Sequence, residues 1–314
     1  MKVLFLCPDY FGIYKVIEKE IHNYMNCDLK SVIFEDYQYK NTFQKLQNFL
    51  AKTFLKKNLK KIWASKERVS TIAENDSFDF LFIICPDFLL NEELKYVTER
   101  AKKSIVYYWD SFDNITRYER TLPFFDKKYS FEPKDVEKYN LKFLTNFYYN
   151  IEKNPNPTND IYYIGTFDER IKIILNILAS VIKYNKKVQI LLQSKHKNII
   201  DKYQSESITF LPKPITFEES EKMYNNSKVI LDVQKTIQNG LTFRVFEALG
   251  KGKKLITTNE NISTYDFYNP NNIFIWKEGM SEIPLSFFES PYVELPSEIF
   301  EKYSCANWIK TIFS

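Results

Sequence analysis

Glycine is scarce here, six residues in 314, and histidine scarcer still, with two. The four cysteines, Cys7, Cys27, Cys85 and Cys305, lie far apart and form no CxxC pair. With His22 and His196 they give no metal-ligand spacing and no disulfide framework, so free thiols and no Cys/His metal site are expected. GxGxxG is missing, which excludes a dinucleotide fingerprint. No run reaches about 18 apolar residues, so no membrane-spanning helix is expected. Neither charge sign dominates: the net charge of +4 gives no ground for a general nucleic-acid reading. The opening MKVLFLCPDYFG offers one lysine and a short apolar run before Pro8, too little for a signal peptide. The expectation is a soluble, cytoplasmic protein.

Apolar residues make up 44% and aromatics 17% of the chain, which excludes a disordered polymer. A chain of 314 residues suits two domains, each with its own core. Short apolar runs recur between helical patterns. In the first half they are Lys2–Cys7, Leu29–Phe34, Phe78–Ile84 and Ser104–Trp109, with helices at Ile13–Met25 and Glu92–Lys102. In the second they are Ile161–Ile164, Val188–Gln193, Ile208–Leu211, Val229–Val233, Lys254–Thr258 and Asn272–Trp276, closed by a helix over Pro296–Phe313. The stretch IEKNPNPTN before the second set is polar, carries two prolines and has no period, so it reads as a linker. The expected organisation is α/β, with domains 1–152 and 153–295 and a final segment 296–314.

The densest chemistry lies between Lys228 and Asn259, which holds Gly240, Gly250 and Gly252. Two strand runs flank a helix with Thr242 near its N-cap and Gly250 at its C-cap. A helix that follows a parallel strand aims free N–H groups at whatever binds there, which suits a phosphate. Gly240 lets backbone come close, Leu241 and Thr242 carry the loop into the helix, and Arg244 adds a forked cation. Glu247, one turn on, is placed to take the paired hydroxyls of a ribose. Gly165-Thr166 ends another strand in a phosphate-compatible turn, with Arg170 just beyond. Lys213 sits between two prolines that fix the backbone after Ile208–Leu211, and Gln234 ends its strand on the same edge. Together these residues suggest a site for a nucleotide diphosphate.

The segment GLTFRVFEALGKGKKLITTN resembles the donor-binding segment of GT-B glycosyltransferases. It is most similar to the group-1-like bacterial enzymes of capsular, exopolysaccharide and lipopolysaccharide biosynthesis. The resemblance implies a GT-B fold: two Rossmann-like domains facing each other across a cleft, the first binding acceptor and the second nucleotide-sugar. It implies transfer of a sugar from a nucleotide-diphosphate donor to a surface polysaccharide or lipid-linked acceptor. Glu247 would hold the ribose, while Arg244, Lys213 and the Gly165 and Gly240 loops would stabilise the leaving diphosphate. With those cations, and no DxD motif, no metal or other cofactor is expected. Asn239 stands where the family carries a second glutamate; with Gln234 it would touch the donor sugar, and retention or inversion stays open. Tyr10 and Gly12 would line the acceptor side, and segment 296–314 would cross back to the first domain. A GT-B-like nucleotide-sugar epimerase or a polyol-phosphate transferase is the alternative, with a non-catalytic sugar-binding protein last.

Asp110 and Asp9 each follow a strand, where open α/β sheets place their ligands. Either carboxylate could serve as the base toward an acceptor hydroxyl, or simply cap a turn. Residues 43–68 read as one long basic amphipathic helix, with Leu46, Phe49, Leu50, Phe54, Leu55 and Trp63 at three- and four-residue steps. Two readings stay open for it: peripheral contact with an anionic membrane, at its inner face, or packing on the sheet behind a solvated lysine face.

Overall fold

Alternation within the apolar runs decides the architecture. The structure, a computed structural model, describes residues 1–10 and 12–314; Phe11, in the loop after the first strand, lies outside the described residues. The chain divides into two compact units, Met1–Leu144 and Thr145–Ser314. The division falls earlier than composition suggests because the proline-rich stretch is tied to the second unit. Asn154 donates to Asn226, and the backbone N–H of Thr158 donates to the same side chain. Lys251 Nζ holds the Glu152 carbonyl at 2.6 Å.

The first unit contains β1 (Lys2–Pro8), α1 (Ile13–Met25), β2 (Asp28–Phe34), α2 (Thr42–Leu55), α3 (Leu59–Val69), β3 (Phe78–Ile84), α4 (Asn91–Thr98), β4 (Ala101–Tyr108), β5 (Lys127–Ser130), α5 (Pro133–Tyr139) and β6 (Lys142–Phe143). Its sheet runs β2-β1-β3-β4-β5-β6, with every pairing parallel. α1 buries Ile13, Ile17 and Ile21, a stripe at four-residue steps.

The second unit contains β7 (Asn159–Thr166), α6 (Ile171–Ile182), β8 (Val188–Gln193), α7 (Lys197–Tyr203), β9 (Ile208–Leu211), α8 (Phe217–Asn225), β10 (Ser227–Asp232), α9 (Phe243–Gly250), β11 (Lys254–Thr257), β12 (Ile273–Ile275), α10 (Leu285–Glu289), α11 (Ser297–Lys302) and α12 (Cys305–Phe313). Its parallel sheet runs β12-β11-β10-β7-β8-β9. Side chains leave a strand to alternate faces, and two cores result. Ile161, Tyr163, Val229 and Leu231 face α6 on one side; Tyr162, Ile230 and Leu255 face Val245, Phe246 and Leu249 of α9 on the other.

Several boundaries differ from the sequence reading. The long basic helix is two, broken where Lys56 turns left-handed (φ 51) and Asn58 starts the next helix by accepting from the Lys61 N–H. The helix over residues 92–102 ends at Thr98, because the strand after it begins at Ala101. The last helix is likewise two: the Ser304 side chain caps α12 afresh. That restart is held by the 148 segment, with Tyr148 N–H donating to Tyr303 and Cys305 N–H donating to Tyr148. Gly250 is not a C-cap. It is the last residue of α9, and its position reflects close approach: a Cβ there would lie 2.7 Å from Cβ of Tyr148. The left-handed turn is taken by Gly252 (φ 59).

The lysines of the turn after α9 are buried rather than solvated. Lys251 pairs with Glu221 at 3.0 Å, Lys253 Nζ donates to the Asn225 carbonyl, and Lys254 Nζ donates to the Phe287 carbonyl and the Ser290 hydroxyl. Burial, helped by Lys251 and Lys153 nearby, pulls the Lys253 amine down to about 8.

Candidate functional site

Each sheet has one point where successive strands begin to be added on the opposite side. It lies between β1 and β3 in the first unit and between β7 and β10 in the second. The carboxyl edge at such a point is where open α/β sheets hold ligands. In the second unit that edge is built around Asp232, the last residue of β10 and completely buried. Its Oδ1 accepts from Thr242 Oγ1 at 2.8 Å and from Arg244 Nη1 at 3.2 Å, and its Oδ2 from Thr257 Oγ1 at 3.0 Å. One carboxylate thus joins the ends of two strands to the start of α9. Three donors, one of them the Arg244 cation, offset the cost of burying it.

Arg244 extends the join across the switch point. Its Nη2 donates to the Ile164 carbonyl of β7 at 2.7 Å, and the guanidinium stands 5.2 Å from the Tyr163 ring centre. The side chain keeps partial exposure at 22%. The Thr242 hydroxyl, spent on Asp232, does not cap the helix. The Val245 N–H donates to the Thr242 carbonyl at 3.2 Å, and the helix dipole places positive potential at the same edge.

The loop before α9 is held from inside. Gln234 Nε2 donates to the Gly240 carbonyl at 2.7 Å, and Asn259 Nδ2 to the Asn239 carbonyl at 3.0 Å. Leu241 is buried in the core, its carbonyl accepting from Asn146. On the neighbouring strand, Gly165 sits against the Tyr163 hydroxyl, where a Cβ would come within 2.7 Å, and Thr166 is exposed. Arg170 forks onto Asp168, Nε to Oδ1 at 2.8 Å and Nη2 to Oδ2 at 2.7 Å, and donates to the Val233 carbonyl at 3.0 Å. Lys213 is exposed in the turn after β9.

Glu247 differs from all of these. It lies one turn into α9, partly exposed, and its carboxylate has no hydrogen bond or ion pair among the described residues. Protein nevertheless surrounds it closely enough to push the carboxyl up to about 7: burial dominates, Arg244 pulls back, and Glu221 and Asp232 add to the rise. Tyr149 and Tyr224 border it, and its charge contributes to raising both phenols, after burial. Tyr149 itself donates to Glu221 at 3.1 Å.

The first unit has its own switch point. Asp9 accepts from the Gly12 N–H at 2.8 Å, which closes a left-handed turn (φ 93), and Tyr10 OH points at Cys85 Sγ. Cys85 is itself left-handed (φ 54), uncommon for a residue with a Cβ. Tyr118 OH donates to the same sulfur, and the nearly buried Asp87 pairs with Arg117 at 2.9 Å. Asp110 caps its own turn, accepting from Ser111 N–H and Asn114 Nδ2.

No protein-family model matches the chain, and no curated protein does. Solved structures do. One is MnaA of S. aureus, solved with UDP, at 9% identity and a TM-score of 0.54, covering 99% of this chain and 94% of that one. Another is UDP-N-acetylglucosamine 2-epimerase from Rickettsia bellii, at 12% identity and 0.50, covering 100% and 95%. A glycosyltransferase from Rickettsia africae ESF-5 follows at 11% and 0.48, covering 100% and 94%. At such identities the first two speak for fold alone. The fold is the two-unit α/β architecture of the GT-B class.

Within this GT-B chain, the residues expected on the donor side all fall in the second unit, at or just beyond the carboxyl edge of its sheet. Arg244, Thr242, Gly165 and Thr166 converge on the β7/β10 switch point. The Gln234 side chain is drawn into the loop's own hydrogen bonds, Asn239 gives its backbone carbonyl to Asn259, and Arg170 is drawn into its pair with Asp168. Asp232 was missed by sequence reasoning, which took it for one more residue of a strand. The signal was there: a lone carboxylate ending the run VILD, with Thr242, Arg244 and Thr257 ahead to meet it.

Proposed function

We propose that this protein is a glycosyltransferase that takes a sugar from a nucleotide-diphosphate donor. One observation carries the reading: Glu247, an accessible carboxylate raised to about 7 with no partner among the described residues, one helical turn beyond the switch-point edge. An unpaired carboxylate held among protein atoms is costly unless something donates to it, and paired ribose hydroxyls would. The diphosphate would then lie against the start of α9 and the partly exposed Arg244, with Thr166 and Lys213 at hand. As the bond from the anomeric carbon to the diphosphate breaks, these fixed dipoles and cations would offset the charge that develops. The acceptor oxygen would form the new bond and pass its proton to a carboxylate. Asp9 suits that part better than Asp110, because one oxygen of Asp9 has no partner among the described residues whereas both oxygens of Asp110 serve its turn. No metal step is needed in this account. The acceptor class, a surface polysaccharide or a lipid-linked glycan, follows from the resemblance of the α9 segment.

Nucleotide-sugar epimerisation is the second reading, favoured by the likeness in fold to an epimerase that acts on UDP-N-acetylglucosamine. Incubation of the purified protein with UDP-, GDP- and TDP-sugars, followed by NMR, separates the two. Release of nucleoside diphosphate with transfer or hydrolysis of the sugar supports the transferase. Appearance of an epimeric nucleotide-sugar supports the epimerase, and an unchanged spectrum with every donor contradicts both.

A further inference from the structure

We propose that the outer face of α2 docks on an anionic lipid bilayer. An ordinary surface helix turns its apolar stripe to the core and its polar stripe to water; α2 does the reverse. Its inward stripe is Gln44, Asn48 and Ala51, with Asn48 and Ala51 buried. These polar groups are satisfied where they stand. Asn48 Nδ2 donates to Tyr39 OH at 2.7 Å and Asn48 Oδ1 accepts from the Lys60 N–H at 3.0 Å, while Gln44 Oε1 accepts from Tyr37 OH and the Lys40 N–H. The helix is therefore fixed in this rotation.

What faces outward is Phe43, Leu46, Phe49, Leu50 and Phe54. The three phenylalanines are 63%, 63% and 76% exposed. Such a contiguous apolar surface marks an interaction site. The charge beside it names the partner. Lys45, Lys52, Lys56 and Lys57 are exposed along α2 and just past its end, and no carboxylate occurs from Thr42 to Lys66. An apolar face accompanied by cations and lying along a helix about 21 Å long matches the boundary between headgroups and acyl chains, with lysines at the phosphates. A second copy of this chain fits less well, because a two-fold contact would set the same lysines against one another. The proposal rests on α2 and the turn after it and does not depend on the donor reading.

Flotation of the intact protein with vesicles of phosphatidylcholine, alone or mixed with phosphatidylglycerol, tests it. Two variants accompany the wild type: Phe49→Glu/Phe54→Glu and Lys52→Ser/Lys56→Ser/Lys57→Ser. All substituted side chains are exposed, and melting curves verify that both variants fold. The wild type should float with phosphatidylglycerol vesicles, release as salt is raised, and bind phosphatidylcholine alone far less. Each variant should bind at least about ten-fold more weakly. Absent binding, or equal binding by wild type and the phenylalanine variant, overturns the proposal. So does light scattering that shows a dimer of the wild type, broken by the phenylalanine variant, without vesicle binding.

Discussion

Arg244 Nη1 lies 3.2 Å from Asp232 Oδ1, and the same guanidinium reaches the Ile164 carbonyl of the adjacent strand. The cation that marks the switch point is thus also part of the frame that holds it. Asp232 is completely buried, so removing one partner of this pair strands the other groups that meet it.

Asp232→Ala should therefore cost about 3 kcal/mol of folding stability, the toll of leaving Arg244, Thr242 and Thr257 without their acceptor. Asp232→Asn keeps one oxygen for them and should cost less. Arg244→Lys keeps the charge but cannot reach both Asp232 and the Ile164 carbonyl, so it should lose about 1 kcal/mol of stability as well as nucleotide affinity. Urea unfolding paired with calorimetric titration separates the effects.

Glu247 sets a pH dependence whose sign is fixed. Its folded carboxyl titrates near 7 against an ordinary value of 4.5. Below pH 4.5 both folded and unfolded states hold the proton, and the residue's favourable protonated form is fully present. As pH rises through 7 that contribution is lost, because the ionised form is disfavoured in the fold. Glu247→Gln should thus gain melting temperature relative to wild type between pH 4.5 and 8. Ligand hydroxyls favour the ionised form, so nucleotide affinity of the wild type should rise toward pH 7 and level off above it. In the Gln variant that slope should be gone.

Gly250 and Gly252 serve different ends. Gly250→Ala drives a methyl into Tyr148 and should destabilise by about 2 kcal/mol through overpacking. Gly252→Ala meets a left-handed backbone as well as Lys153, and should cost at least about 1 kcal/mol. Melting curves at one pH check both.

Much of the sheet framework was legible because buried parallel strands leave continuous β-branched and aromatic runs, as in Phe78–Ile84 and Val188–Gln193. Local steric events were not. Nothing in the apolar period of residues 43–68 announces the left-handed Lys56, nor that the period points outward; only the buried hydrogen bonds of Asn48 and Gln44 decide that. Likewise nothing local in the sequence shows that carbonyls and Glu221 hold the lysines after Gly250 inside. At the switch-point edge, the placing of Arg244 and Glu247 one turn apart was legible from helix spacing, but Asp232 joins residues too distant in sequence for any local pattern to show.

The most direct test of the donor site is a melting-temperature panel with UDP, GDP, CDP, TDP, ADP and their sugars, on wild type and Glu247→Ala. A nucleotide at 100 times its Kd should add roughly 2.7 kcal/mol to stability. The account predicts that one nucleotide series raises the melting temperature of the wild type and not of Glu247→Ala. A cooperative melt that no nucleotide shifts, or a shift that Glu247→Ala keeps in full, would contradict it.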